Sequence, residues 1–308
     1  MKMNKMKIGI LGVAFYLMLS ITANAQTDTT YWKRGTKGTL TFTQVSLTNW
    51  TAGGDNSVSL NAYLNTFANY AKDRTTWETN LELGYGLVEQ GNLGVRKSDD
   101  KIIFTTKYGY KLKPENNKLF WSTLLDFKTQ FNIGYDFGDD GIETKISDFM
   151  APGYLTIATG LEYKPSKFFS LLYAPVAGKI TIVTSEFLTS QEGGAYDVLP
   201  GQTTLSELGS FLKMGFIKDI AKNVNLDSKL ELFTAYDENF GNIDVNWQNA
   251  LLLKVNDWLS ASLITQLIYD DDINIAEFDD AGVEIGSGPK IQFKQIFGLG
   301  LSYAIGDK

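Results

Sequence analysis

The sequence predicts an all-β fold, a membrane-spanning antiparallel up-and-down β-barrel of about twelve strands. Three observations carry that expectation. Apolar and polar residues alternate with period two over unusually long segments. The connections between those segments alternate between short and long. Tyr and Trp gather toward the segment ends on the apolar face. Ordinary strands run to about 5–6 residues and membrane-spanning strands to about 9–11, so segment length separates a barrel wall from a soluble sheet.

The first 25 residues stand apart from the wall. Lys2, Lys5 and Lys7 make a positive n-region, Ile8 to Leu19 is an apolar run too short to span as a helix, and Ala23-Asn24-Ala25 fits a small-x-small cleavage site. The expected organisation is a signal peptide over residues 1–25, cleaved near Ala25, and a single barrel domain over 26–308 in the outer membrane of a Gram-negative bacterium. No later stretch approaches 18 apolar residues.

The expected strands are Thr39–Leu47, Ser57–Tyr70, Thr75–Gln90, Lys101–Leu112, Trp121–Tyr135 and Tyr154–Tyr163, followed by Phe168–Val183, Gly209–Asp219, Val224–Tyr236, Ile243–Lys254, Leu259–Tyr269 and Ile291–Ile305. In Thr75–Gln90, Trp77, Thr79, Leu81, Leu83, Tyr85 and Leu87 share one face, and Glu78, Asn80, Glu82, Gly84 and Gly86 the other. The last segment sets Phe293, Phe297, Leu299, Leu301 and Tyr303 against Lys294, Gly298, Gly300 and Ser302. Pro175 and Gly178 interrupt Phe168–Val183, and Pro within a strand implies a bulge or an unpaired N–H.

Short turns are expected at Lys72–Arg74, Lys113–Lys118, Lys164–Lys167, Ile220–Asn223 and Val255–Asp257. Long loops are expected at Thr48–Asn56, Gln90–Asp100, Phe137–Gly153, Thr184–Leu208, Asp237–Asn242 and Asp270–Pro289. This alternation places both termini on the short-turn side and requires an even strand number. Thr39–Leu47 and Ile291–Ile305 must pair, because lipid cannot satisfy an open sheet edge. Outward aromatics such as Trp77, Tyr108, Tyr110, Trp121, Tyr135, Tyr163, Trp247 and Tyr303 read as interfacial girdles.

Composition removes several functions. The chain has no Cys and no His, which rules out a Ser-His-Asp triad, a Cys nucleophile and the usual zinc sites. A net charge of −7 is not the footprint of a nucleic-acid binder. The expectation is therefore no enzyme, no cofactor, no metal site and no nucleic acid. The partners are outer-membrane lipids, the barrel-assembly machinery during insertion and a small-molecule substrate that the sequence does not name. The acidic clusters Asp136, Asp139, Asp140, Glu143 and Asp270, Asp271, Asp272, Glu277, Asp279, Asp280 lack the order of an EF-hand and read as solvated loops.

Two groups of residues are singled out. The first is the loop motif around Trp50, Gly53, Gly54 and Asp55, where the glycines suit a tight reversal and Trp50 suits an anchor. The second is a lumen charge network of Glu78, Glu82, Lys107, Lys111, Asp126, Lys128, Lys213, Lys229 and Glu231. The inward phase also carries Lys101, Glu162, Asp219, Asp227, Lys254, Asp270 and Lys294. Directly opposed residues of a hairpin have a constant sum of numbers. A loop centred near Gly94 then sets Glu78 opposite Lys111 and Glu82 opposite Lys107, and a turn near Lys222 sets Lys213 opposite Glu231. Balanced signs leave no strong field for ion selection.

The run QVSLTNWTAGGDNSVSL at Gln44–Leu60 resembles the opening of an uncharacterised family of Bacteroidetes outer-membrane proteins known as domain of unknown function 3078 (DUF3078). Leu83-Gly84-Tyr85-Gly86, Ser98-Asp99-Asp100-Lys101, Phe127–Phe131, Ala151–Leu155 and Leu172–Lys179 extend the likeness over essentially the whole mature chain. The resemblance implies an outer-membrane barrel and no known activity. The expected function is a barrel with a narrow or occluded lumen, either a selective transporter or narrow channel, or a structural or assembly barrel without flux. Open aqueous channels belong to barrels of about 16–18 strands.

Overall fold

The computed structural model describes residues 31–46, 56–91, 93–137, 143–191, 193–236, 240–271, 273–278 and 284–306. Twelve strands form a closed antiparallel wall. They are β1 (Trp32–Val45), β2 (Ser57–Lys72), β3 (Thr75–Gln90), β4 (Val95–Lys113), β5 (Asn116–Thr129), β8 (Gly153–Ser166), β9 (Phe169–Ile182), β10 (Thr204–Ala221), β11 (Val224–Ala235), β12 (Asp244–Lys254), β13 (Leu259–Tyr269) and β16 (Gln292–Gly306). Wall neighbours follow one another along the chain, and β1 closes on β16 from Gly35 opposite Gly306 to Phe42 opposite Leu299. All twelve correspond to predicted segments, the count is even, and the expected first and last strands pair. Two hairpins stand outside this wall, β6 (Gly134–Phe137) with β7 (Glu143–Ser147) and β14 (Asn274–Phe278) with β15 (Glu284–Pro289).

Several boundaries differ from expectation. β1 begins at Trp32, seven residues earlier than Thr39, and β4 begins at Val95, which reduces the expected Gln90–Asp100 loop to Gly91–Gly94. Sequence patterning weakens where strands leave the apolar layer, whereas backbone pairing goes on beyond it. The segment Trp121–Tyr135 ends its wall course at Thr129, and Tyr135 belongs to the β6–β7 hairpin, so it is not a girdle residue of the wall. The Thr184–Leu208 loop contains one helical turn, α1 (Glu186–Thr189). Its Leu188 and Val198 bury with the adjoining Val183 against Ala151, and the Tyr196 hydroxyl donates to the Ile146 carbonyl at 2.7 Å. The loop thus packs on the connection between β7 and β8.

The expected bulge at Pro175 is present. On one side of β9 the register shifts between Thr159 and Leu161, and on the other between Gly209 and Phe211. The Pro175 carbonyl accepts from the Tyr236 hydroxyl at 2.6 Å. Gly160 and Gly209 face this irregularity from the two flanking strands. A Cβ on Gly160 would lie 2.1 Å from the Tyr173 carbonyl oxygen, and one on Gly209 would lie 2.1 Å from that of Thr234.

The two faces of the wall differ in chemistry. Outward side chains such as Ile157, Leu161, Phe293, Phe297, Leu299 and Leu301 are exposed, as lipid-facing residues are. Outward indoles donate across to a neighbouring strand: Trp77 to Thr106 (2.7 Å), Trp121 to Thr159 (3.1 Å) and Trp247 to Ser228 (3.0 Å). A ring in apolar surroundings needs such a partner for its N–H. Inward, an apolar layer of Leu124, Ala158, Leu172, Ala174, Ala177, Phe211, Phe233 and Ala235 is buried within the lumen.

Candidate functional site

The inward polar side chains form a charged network, and its geometry follows from alternation. Glu78, Asn80 and Glu82 of β3 project inward because Trp77, Thr79 and Leu81 project outward. Directly across the β3–β4 ladder from Glu78 stands Lys107, with Nζ 2.9 Å from Oε2. Lys107 also bridges Glu162 of β8, a fully buried carboxylate that accepts from the Ser122 hydroxyl at 2.6 Å and lies 3.4 Å from Lys164. Lys164 completes the tier by bridging back to Glu78. The Lys164 ammonium also sits 5.1 Å above the Phe120 ring.

The middle tier spans the lumen. Lys213 and Glu231 are directly opposed on β10 and β11 and bonded at 2.7 Å. Lys213 reaches Asp126 on β5 at 3.2 Å, and Lys128 bridges Asp126 at 3.0 Å. Lys128 also bridges Glu231, joining β5 to β11. Lys229 on β11 bridges Glu82 on β3, strands half the circumference apart in the closed order. Lys101 stands 4.0 Å from Glu82.

A third tier lies toward the loops. Lys179 of β9 pairs with Glu207 of β10 at 3.2 Å and with Asp244 of β12 at 2.7 Å. Lys294 of β16 meets buried Asp99 of β4 at 2.9 Å, and the Tyr63 hydroxyl donates to the same carboxylate at 2.9 Å. Opposite charges held this close inside a wall neutralise one another where an unpaired ion would be costly.

The predicted pairs fare unequally. Lys213 and Glu231 are opposed as expected. Glu78 faces Lys107 rather than Lys111, and Glu82 faces Ile103 rather than Lys107. The cause is the tight Gly91–Gly94 turn, which moves the hairpin centre two residues toward its N-terminus. The sum falls by an even number, so every partner keeps its face and the charges re-pair within the lumen. Lys111 falls at the short-turn end, where its backbone is held by Arg74. Asp219 and Lys254 also lie at that end: Asn225 donates to Asp219 at 2.9 Å, and Lys254 pairs with Asp257 at 2.7 Å. They follow the inward phase but belong to the rim. Trp50, Gly53, Gly54 and Asp55 lie outside the described residues, as do Asp139, Asp140, Asp272, Asp279 and Asp280.

Lys164, Lys179, Asp99, Glu207 and Asp244 were not singled out in the sequence. Lys164 fell in an expected turn, and Asp99 and Glu207 in expected loops. Lys179 has a readable signal, the phase Ala177, Lys179, Thr181 beyond Pro175. A concavity of about 180 Å³ on the outer wall is lined by Met214, Phe216, Ser228, Leu230 and Trp247.

Among solved structures the chain is similar to the translocator domain of the autotransporter NalP from Neisseria meningitidis, at 9% identity, 96% coverage of each chain and a TM-score of 0.36. It is similar to the TodX monoaromatic hydrocarbon channel (deltaS2 mutant), at 9% identity, 89% coverage of each chain and a TM-score of 0.34. For OmpT, an outer membrane protein of Vibrio cholerae, the values are 10%, 92% of this chain and 100% of that one, and 0.31. None of these likenesses is close enough to carry an assignment, and no functionally curated protein matches. Residues 42–135, from the end of β1 into the β5–β6 region, match the family described as "Protein of unknown function (DUF3078)", and the chain that carries this match is a closed twelve-stranded antiparallel β-barrel.

Proposed function

We propose that this chain is an outer-membrane barrel whose lumen is closed in its resting state by ion pairs that cross it. The observation that carries this reading is the pair of contacts Lys229–Glu82 and Lys128–Glu231, which join strands far apart around the wall. Bridges of that reach leave no wide aqueous path at their level, and Phe211, Phe233 and Leu172 fill the lumen beside them. Residues 1–25 act as a signal peptide removed near Ala25, and 26–308 form the one mature domain, inserted with the help of barrel-assembly machinery. The barrel is a non-enzyme; a chain without His or Cys lacks the commonest hydrolytic groups.

A selective-transport reading draws on the same residues. The Lys229 and Lys128 side chains are 29% and 24% exposed, so water reaches the bridges, and ion pairs part more readily than an apolar plug. Planar-bilayer recording of the purified chain tests the proposal. The expected result is no ohmic conductance from the native barrel and discrete steps from the Glu82→Gln/Lys229→Gln/Lys128→Gln variant. Sustained porin-like conductance of the native chain would overturn it.

A further inference from the structure

The two ends of the barrel differ in charge. At the short-turn end the β2–β3 and β4–β5 turns are flanked by Lys72, Arg74, Lys113 and Lys118. The next two turns add Lys167, Lys218 and Lys222, all exposed. Asp73, Glu115 and Asp219 offset them in part, and at the last turn Lys254 is matched by Asp257. The loop end carries the opposite sign, with Glu89, Asp136, Glu143, Glu186 and Asp197. The net charge of −7 therefore conceals a cationic rim beneath an acidic crown.

An independent feature fixes the depth of those cations. Two of them lie on aromatic faces, Arg74 at 4.5 Å from the Tyr110 centroid and Lys218 at 4.5 Å from Phe168, and so does Arg34 near the start of β1, 5.5 Å from Trp32. The rings continue sideways into others, Trp32 to Tyr70 at 5.2 Å and Phe168 to Phe216 at 5.7 Å. The amphipathic rings among these, Trp32, Tyr70 and Tyr110, settle at the headgroup level of a lipid-facing wall. A cation stacked on such a ring is held at the same depth, where a phosphodiester would meet it.

We propose that the short-turn rim is a docking belt for anionic phospholipid headgroups in the leaflet that meets that end. Lys ammonium groups supply the charge, the girdle rings supply the depth, and Arg74 is held in place by donating to the Lys111 and Leu112 carbonyls. The acidic crown repels the same lipids, which confines the preference to one leaflet. An acidic protein partner fits less well, because the rings between the cations face the bilayer.

The full chain reconstituted in phosphatidylcholine vesicles, with trace spin-labelled phosphatidylglycerol or phosphatidylcholine, tests this by electron paramagnetic resonance. Phosphatidylglycerol should be enriched in the motionally restricted lipid by roughly twofold to fivefold at low salt, and the enrichment should fall as salt rises. The variant Lys72→Gln/Lys113→Gln/Lys167→Gln/Lys218→Gln/Lys222→Gln, shown to be folded by its heat-modifiable gel mobility, should return the two lipids to parity. Lys145→Gln at the loop end should leave the preference unchanged. No preference in the native chain, or one that survives in the five-residue variant, overturns the proposal. Absence of any restricted lipid would overturn the membrane reading along with it.

Discussion

Glu162 shows how much one carboxylate carries inside the wall. It is fully buried, and Lys107, Lys164 and Ser122 all converge on it. Removing its charge takes the one fully buried anion from this tier and leaves two ammonium groups to share the more exposed carboxylate of Glu78, and losing the buried member of such a group is the severe case. Glu162→Gln should cost about 3 kcal/mol in urea unfolding of the reconstituted barrel. Glu78→Gln, at a half-buried site that still leaves Lys107 and Lys164 with Glu162, should cost below about 1 kcal/mol. Equal costs at the two positions would show that burial does not set the strength of the tier. The importance of Glu162 was only half legible: its inward phase could be read from Tyr154–Tyr163, but not its convergence with Lys164, which looked like a turn residue.

At the scale of one strand, β9 depends on its bulge. Pro175 cannot donate to a ladder, so the strand steps out by one residue there, and β8 carries Gly160 where the step brings the β9 backbone close, whereas Gly209 of β10 lies against the Thr234 carbonyl of β11. A methyl on Gly160 or Gly209 would press on a carbonyl oxygen that cannot move without shifting its strand. Gly160→Ala and Gly209→Ala should each destabilise by about 2 kcal/mol, seen as a lower temperature of heat-modified gel mobility. Gly286→Ala, with open space around its Cβ, should leave that temperature unchanged. Pro175 announced a bulge in the sequence. Gly160, which receives it, could be identified only once the register placed it beside the bulge.

For the whole molecule, closure is the governing constraint. β1 and β16 are separated by nearly the full chain, yet their ladder sets Leu40 opposite Leu301. Opposed residues of an antiparallel pair have Cα atoms about 4.5–5.5 Å apart, within disulfide reach. The native chain contains no Cys. Leu40→Cys/Leu301→Cys should therefore form one intramolecular bridge on oxidation and give a barrel that resists unfolding more than its reduced form. Failure to cross-link, with both thiols still reactive, would refute the seam as drawn.

The barrel is legible in the chain itself: twelve segments, their inward and outward phases, every short connection, and the lack of His and Cys. Each is a local property, because alternation with period two and turn composition are written in neighbouring residues. Which charges meet depends on register and closure, and only one of the expected pairs could be read from a local turn. Lys213–Glu231 could be predicted because a two-residue turn fixes the register of its hairpin. Glu78 found Lys107 instead of Lys111 because a short turn replaced a long loop. Lys229–Glu82 and Lys128–Glu231 could not be predicted at all, since closure of the wall, not position along the chain, brings those strands face to face.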